Sequence, residues 1–463
     1  MPHPIICQDE RLRQYLQSFR ALFSRPQYEH FVIVLIGQLI GEAGHTLSHL
    51  HRAVSGKKSL SSLSRFLSDS PWSHHSIIQH NFARFCREVQ PKIDKERQEM
   101  LEERKKQKRR GKRPVPFVTG YLIGDDSTMY KPKGVKMQGI GKHHSTTYET
   151  QVTGHSLVQC LYTISDRSCP LEPLLYRQKK TAKKEEVSFS SKVDLMIQQI
   201  QNFTPPAGTE THVILDSWYN GKKLWKAALD REFKITTGIR SNRWLRVSCE
   251  VTSTTPKGWK WQQLDEYAAS LPESAYQECF HPRNPKKKVW VHVLDTRVRK
   301  LYRCKIIIIR KSLKDPISAA RFWVTSDLKA DAQTCVNVIS IRWDIEVFFE
   351  DMKELLGIDQ YQLMTSVALL RYWTLCWIAY SFLESIRDDL KQTRDCKMQR
   401  DNKTEIPKKD EEELGEYQKE HHATLGQARR YVQEIHQELF LEWVYHHALS
   451  GTPVEEIHAL LAA

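Results

Sequence analysis

Two short apolar runs that each end in an aspartate constrain the fold of this chain more than any other feature. The run 121–123 leads into Asp125, and the run 212–215 leads into Asp216. Runs of this length and composition predict buried β-strands. Because α/β sheets present ligand-binding side chains at the carboxyl ends of their strands, both carboxylates are expected at such an edge. The alternative is that each aspartate only caps the next element of the chain, as Asp216 and Ser217 would for a helix over 222–229.

A third acid, Glu346, lies on a segment with helical periodicity. At about 100° per residue, Arg342, Glu346 and Lys353 fall within about 40° of one another on one helix face. The apolar residues cluster on a different face: Ile341, Ile345, Phe348, Met352 and Leu355. Such a helix buries one face and presents a carboxylate between two cations that can clamp phosphates. The alternative is an ordinary surface helix with one Arg-Glu pair.

Carboxylates from three separate elements predict a site for two Mg²⁺ ions. Mg²⁺ prefers hard oxygen ligands and takes few protein carboxylates together with substrate phosphate oxygens. Two such ions, roughly 4 Å apart, activate a water or hydroxyl and stabilise the leaving oxygen of a phosphodiester. We therefore predict phosphodiester chemistry on nucleic acid, with Asp125, Asp216 and Glu346 as metal ligands and catalytic residues. Mn²⁺ is expected to substitute for Mg²⁺.

The motifs around these acids resemble those of bacterial insertion-sequence transposases of the cut-and-paste kind, which have an RNase H-like DDE domain. The resemblance covers roughly residues 115–365, with a weaker N-terminal part over 60–73. In that family the first aspartate often precedes x-Ser or x-Thr, which selects Asp125 over Asp126. The second is often followed by Ser-Trp-Tyr, as Asp216 is here. The glutamate stands in Tyr-x2-Arg-x3-Glu-x6-Lys, which Arg342, Glu346 and Lys353 match, whereas Ile339 replaces the tyrosine and its hydroxyl.

The resemblance implies a DNA transposase that binds the terminal repeats of its own element, cleaves at their ends and joins them to target DNA. Double-stranded DNA is then the partner, and a homodimer is expected because two element ends are processed together. Two alternatives stay open. One is a transposase-derived DNA-binding protein that no longer cuts. The other is an RNase H-like nuclease that cuts without strand transfer.

The charge of the chain agrees with a polyanionic partner. There are 70 Lys and Arg against 55 Asp and Glu, a formal net charge of +15. Binding through such an excess weakens steeply with salt. Eight of the ten residues 104–113 are cationic, and they include Arg104, Lys105, Lys106, Arg109 and Arg110. We predict an extended connector that lies across the DNA backbone and gives affinity without sequence choice; a linker that is merely solvated is the alternative.

The predicted fold class is α/β, with an RNase H-like mixed-sheet core, a β-rich insertion, an all-α N-terminal domain and a helical C-terminal region. The predicted domains are 1–113 (helical, DNA-binding, ending in the basic linker), 114–240 (first part of the core), 241–319 (insertion), 320–390 (second part of the core), 391–420 (charged linker) and 421–463 (C-terminal helices). Strands are expected over 289–294, 302–309 and 321–325. Helices are expected over 184–203 and Leu425–Leu449.

Three tryptophans of the insertion, Trp244, Trp259 and Trp261, alternate with Arg and Lys residues. Rings beside cations can stack on an unpaired base, although structural burial is the more common role of a tryptophan. The apolar runs 31–40 and 367–383 are short or interrupted by polar residues, so no membrane partner is expected. The ten cysteines are scattered singly, which favours an intracellular protein and a cytoplasmic location near the nucleoid.

Overall fold

The structure is a computed structural model that describes residues 3–4, 8–41, 44–55, 58–106, 115–145, 149–252, 255 and 257–401, together with 423–462. The helices are α1 Glu10–Ser18, α2 Arg25–Ile40, α3 Leu47–Ala53, α4 Leu60–Ser68, α5 His74–Lys106, α6 Lys179–Lys184, α7 Lys192–Asn202, α8 Lys222–Leu229, α9 Leu264–Ser270, α10 Ala332–Ile341, α11 Trp343–Glu354, α12 Ser366–Asp401, α13 Leu425–Leu449 and α14 Val454–Ala462. The strands are β1 His3–Pro4, β2 Val54–Ser55, β3 Val118–Tyr130, β4 Gly141–Ser145, β5 Thr150–Ile164, β6 Arg167–Pro170, β7 Leu174–Tyr176, β8 Thr209–Leu215, β9 Lys234–Gly238, β10 Trp244–Ser248, β11 Trp259–Gln263, β12 Gln277–His281, β13 Asn284–Arg297, β14 Arg303–Arg310 and β15 Arg321–Thr325.

One large mixed sheet organises the middle of the chain. Its strand order is β12-β13-β14-β15-β9-β8-β3-β5-β4, and β6 and β7 also pair with β5. The pairs β3–β8 and β8–β9 are parallel, whereas β3–β5 and β9–β15 are antiparallel. A mixed sheet between N-terminal and C-terminal helices confirms the predicted α/β class and agrees with an RNase H-like core.

The strands expected before the catalytic helix lie in β13, β14 and β15. They do not form a sheet of their own, because β15 pairs with β9 and thereby continues the core sheet as far as β12. In the described part of this region, the ribbon of β10 and β11 stands outside the sheet. The β-rich part of the chain is thus an extension of the core sheet with a two-stranded ribbon attached.

The N-terminal helices share one apolar core with the C-terminal half of the chain. Helices α2, α4 and α5 all pack against α12. The shared cluster includes Phe19, Phe31, Leu35 and Phe66 from the N-terminal side, and Phe348, Trp373 and Trp377 from the other. Because α12 is the common packing partner, these helices pack in one core with α11, which carries Glu346.

Three predicted segments differ from the structure. The helix expected over 184–203 begins later, as α7 Lys192–Asn202, because Ser191 caps α7 and closes a capping box with Asp194, whereas α6 already ends at Lys184. Residues 391–401 of the charged linker expected over 391–420 are helical, since α12 continues to Asp401, and Lys391 pairs with Asp166 at 2.6 Å. A packed helix propagates into polar sequence at little cost once it is nucleated. Residues 402–420 of that prediction lie outside the described residues.

The prediction of an extended basic connector is also wrong for the part that the structure describes. Arg104, Lys105 and Lys106 form the last turn of α5, where cations interact favourably with the carboxyl end of the helix dipole. All three side chains are exposed. Arg109 and Arg110 lie outside the described residues.

Helix α12 has the length and composition of a membrane span over Ser366–Thr393, and 83% of its most apolar window is buried inside the protein. The burial has a plain cause, since Trp373, Trp377 and Phe382 contribute to the shared core. Core helices of this kind satisfy the same length criterion as membrane helices.

Candidate active site

Two neighbouring parallel strands bring Asp125 and Asp216 side by side, although only Asp216 follows the end of its strand. Strand β3 continues to Tyr130, so the expectation that Asp125 ends a strand is wrong, and Asp125 lies where the pairing of β3 with β8 stops. Gly124 of β3 is in register with Leu215 of β8, so the residue after each is an aspartate. Asp216 accepts the backbone N–H of Ser217 at 2.5 Å and starts a 3-10 turn. It does not cap α8, whose N-cap is Gly221. The two acids therefore stand where ligands bind in sheets of this type.

Glu346 reaches these acids through Arg342. Arg342 lies at the junction where α10 ends and α11 begins, so it is not within the single continuous helix that its spacing suggested. Its guanidinium pairs with the Glu346 carboxylate and lies 3.8 Å from Oδ2 of Asp125. All three predicted acids are thus at one site, and Arg342 bridges two of them. None of the contacts that the structure describes joins Lys353, at the far end of α11, to this group.

Several carboxylates lie close together at this site. Burial raises the pKa of Asp125 to about 7, and the neighbouring carboxylates of Asp126 and Asp216 contribute to this rise, whereas the N–H of Asp126 and the guanidinium of Arg342 oppose it. A cation placed between these oxygens would favour the ionised form. Strongly perturbed carboxylates of this kind concentrate at functional sites.

The donors suit a hard divalent ion. Asp125 within β3, Asp216 directly after β8 and Glu346 on α11 supply carboxylate oxygens, which are the ligands that Mg²⁺ prefers. A positive charge already stands between two of them, in the form of Arg342. Across the described residues, no three His, Cys, Asp or Glu side chains are spaced to hold an ion together. An ion held between Asp125 and Glu346 would take the place that the Arg342 guanidinium occupies.

Asp126 has a different set of partners from Asp125. Strand alternation turns it to the other face of β3, where its carboxylate accepts from the Tyr219 hydroxyl at 2.9 Å and pairs with Lys192 of α7. Tyr219 belongs to the turn after Asp216. This hydrogen bond thus ties the turn after β8 to β3. The Ser-Trp-Tyr sequence after Asp216 pointed to Tyr219, but the sequence did not show that its hydroxyl binds Asp126.

Replacing Tyr219 by Phe is expected to lower the free energy of unfolding by about 1–2 kcal/mol. The buried hydroxyl donates to a carboxylate, and such bonds are worth more than neutral ones; Asp126 keeps Lys192, which limits the loss. Urea unfolding measures the change, with the same substitution at the half-exposed Tyr431 as the control. An equal, small effect at both positions would contradict the role of the Tyr219 hydroxyl.

The predicted stacking tryptophans lie on the β10–β11 ribbon. Trp244 and Trp261 are 37% and 38% exposed. Trp259 is less open, because the guanidinium of Arg246 lies 4.6 Å from its ring centroid and the Trp261 ring meets it at 5.8 Å. The ribbon is cationic and aromatic as predicted, with the ring of Trp259 partly covered by its neighbours.

Comparison with known families agrees with this arrangement. The family described as DDE superfamily endonuclease matches residues 18–278, which contain Asp125 and Asp216. The family described as transposase DDE domain matches residues 190–382, which contain Asp216 and Glu346. No curated protein matches the chain. Because the first match covers more than half of the sequence and the second overlaps it through Asp216, the chain belongs to the DDE superfamily of endonucleases and transposases.

Proposed function

We propose that this protein is a DNA transposase that binds the terminal repeats of its element, cleaves the DNA at their ends and joins those ends to target DNA. The observation that carries the proposal is the ionic bridge made by Arg342, next to the point where β8 ends beside β3. Asp125 and Asp216 stand on adjacent parallel strands, and Arg342 links Asp125 to Glu346. This is an acidic site on rigid elements, with a cation able to contact phosphate.

In this proposal Asp125, Asp216 and Glu346 would hold two Mg²⁺ ions, which would supply an activated water or hydroxyl and stabilise the leaving oxygen of the phosphodiester. Divalent metals are general in this superfamily. Arg342, once released from the acids, donates bidentate hydrogen bonds to a phosphate of the bound strand. Lys353 is proposed as a second phosphate contact, further along α11.

The surrounding charge serves the same partner. The exposed Arg104, Lys105 and Lys106 at the end of α5 are proposed to contact the DNA backbone, together with Arg109 and Arg110. Such contacts provide salt-dependent affinity and no sequence choice. The helical N-terminal region is proposed to read the terminal repeats, and a homodimer is proposed to process two ends at once. The proposed domains keep the predicted limits, except that 391–401 belongs to α12.

The proposal is tested with purified protein and DNA that carries both flanking ends of the native gene. With Mg²⁺ or Mn²⁺, cleavage at those ends and joining of the free ends to a target plasmid are expected, and a chelator should stop both. Cleavage without joined products would favour a nuclease that lacks strand transfer. Tight binding of the ends with no cleavage in either metal would favour the DNA-binding protein that does not cut.

A further inference from the structure

The three acids of the candidate site share a single cationic side chain. Arg342 lies 3.8 Å from Asp125 and also pairs with Glu346. In the part of the chain that the structure describes, no other Lys, Arg or His forms an ion pair with these two acids or with Asp216, and Arg342 forms no ion pair with any further acid. The guanidinium therefore neutralises two of the carboxylates that are proposed to hold divalent ions.

The bridge made by Arg342 is weak enough to open. Its three side chains are all partly open to solvent, at 21% for Arg342, 25% for Asp125 and 33% for Glu346. Ion pairs with such exposure are modest in strength, because water and salt screen them. An acid that follows its cation by four residues on a helix is also the less favourable order of the two. A competing anion can therefore draw the guanidinium away from the acids.

The backbone that carries Arg342 is held between two helices. Its N–H donates to the carbonyl of Ile339 at 3.2 Å, at the end of α10, and its carbonyl accepts from the N–H of Ile345 at 3.4 Å, in the first turn of α11. Ile345 is itself buried in the shared core. Rotation of the side chain about its own bonds is then sufficient to move the guanidinium from the acids to a phosphate, which it binds with the same two-pronged geometry as a carboxylate.

We propose, resting on the transposase function above, that Arg342 regulates the site by competing with divalent ions for Asp125 and Glu346 until DNA binds. Without DNA, the guanidinium occupies these acids, and the apparent metal affinity falls because only the molecules whose acids are free can bind an ion. When DNA binds, a phosphate attracts the guanidinium and the acids become free. The site is thus filled chiefly on protein that already holds DNA. Because such coupling is reciprocal, divalent ions raise the affinity for DNA by the same factor.

The first measurement titrates the full-length protein with Mn²⁺ in the absence of DNA and follows the free ion by electron paramagnetic resonance. Arg342→Ala should bind Mn²⁺ at least about fivefold more tightly than wild type, because the competing guanidinium is gone. Arg342→Gln, which keeps a polar side chain without the charge, should behave in the same way. The matched control is Arg283→Ala, which removes a guanidinium that pairs with Asp344 of α11 and with none of the three acids; it should leave the Mn²⁺ affinity nearly unchanged.

The second measurement repeats the titration with a duplex of one native flanking end and subtracts the Mn²⁺ that the same DNA binds alone. Adding DNA should raise the Mn²⁺ affinity of wild type by a factor at least about fivefold larger than that of Arg342→Ala. The proposal is overturned if Arg342→Ala binds Mn²⁺ no more tightly than wild type without DNA, or if wild type binds the duplex and both proteins gain equally from it. Neither result depends on catalysis. Failure of wild type to cleave or join DNA, with these binding results intact, would instead count against the transposase function alone.

Discussion

Replacing Asp125 by Asn is expected to abolish cleavage and, without metal, to make the protein more stable at neutral pH. Cleavage should fall by at least about 1000-fold, since losing a metal ligand removes several kcal/mol of transition-state stabilisation and each 1.36 kcal/mol is tenfold in rate. Glu346→Gln should cause a comparable loss. Misfolding would lower both cleavage and stability, so a variant that loses cleavage but gains stability has lost catalysis and not its fold.

The gain in stability results from the raised pKa of Asp125. In the unfolded chain this carboxyl ionises near its ordinary value of 3.8, whereas in the folded protein its pKa is about 7. The unfolded state therefore loses its proton first, and folding is penalised increasingly as pH rises from about 4 to about 7. Asn carries no such penalty. The variant should gain stability across that window, by at most about 4 kcal/mol above pH 7.

Urea unfolding in a chelator at pH 4, 5.5 and 7.5 measures this trend. Asp94→Asn, the same change at an exposed position of α5, should show neither the gain nor the loss of cleavage. Glu350→Gln, one turn beyond Glu346 and exposed, is the control for the glutamate. Mg²⁺ should stabilise wild type and not Asp125→Asn. A variant that is less stable than wild type at pH 7.5 would refute the crowded-carboxylate description.

Replacing Arg167 by Met is expected to cost about 3 kcal/mol of unfolding free energy. Arg167 of β6 is 7% exposed and pairs with Glu88 of α5 at 3.1 Å and with Asp388 of α12 at 3.5 Å. Lys92 also binds Asp388, at 2.7 Å. Removing one partner of a buried ion pair costs about 3–5 kcal/mol because a buried charge is left uncompensated. Because Lys92 still pairs with Asp388, the expected loss of unfolding free energy lies near the lower end of this range.

A double variant distinguishes this cause from simple loss of packing. Arg167→Met combined with Asp388→Leu removes both charges and should recover part of the stability, since apolar replacements of a buried pair are often neutral. Arg13→Met, which breaks an exposed pair with Glu10, should change the free energy by less than about 1 kcal/mol. A double variant that is less stable than the sum of the single changes would contradict the proposed origin.

The local pattern of the sequence was enough to locate the principal elements of the site. Alternating and continuous apolar runs predicted the strands that lead into Asp125 and Asp216, because strand formation depends on short-range composition and period. Helical periodicity placed Glu346 on α11 and predicted α13 over Leu425–Leu449, the limits that the structure has. The α/β class and the family were predicted from the same segments.

Other features depended on which faces pack together. The helical spacing did not indicate the break between α10 and α11 at Arg342, nor that the guanidinium at this break lies 3.8 Å from Asp125. The choice of partners for Asp126 required the position of Tyr219 in space. Likewise, the polar segment 391–401 is helical because the packed part of α12 precedes it.

The sequence by itself determined most of the strands and helices and which of them carry the three predicted acids, since these features depend on residue types within a few positions. Only the tertiary structure decided that the N-terminal helices share a core with α12, that Arg342 bridges Asp125 and Glu346, and that Tyr219 binds Asp126. The physical reason is that side-chain pairing and burial depend on contacts between residues far apart in the chain, which no local period encodes.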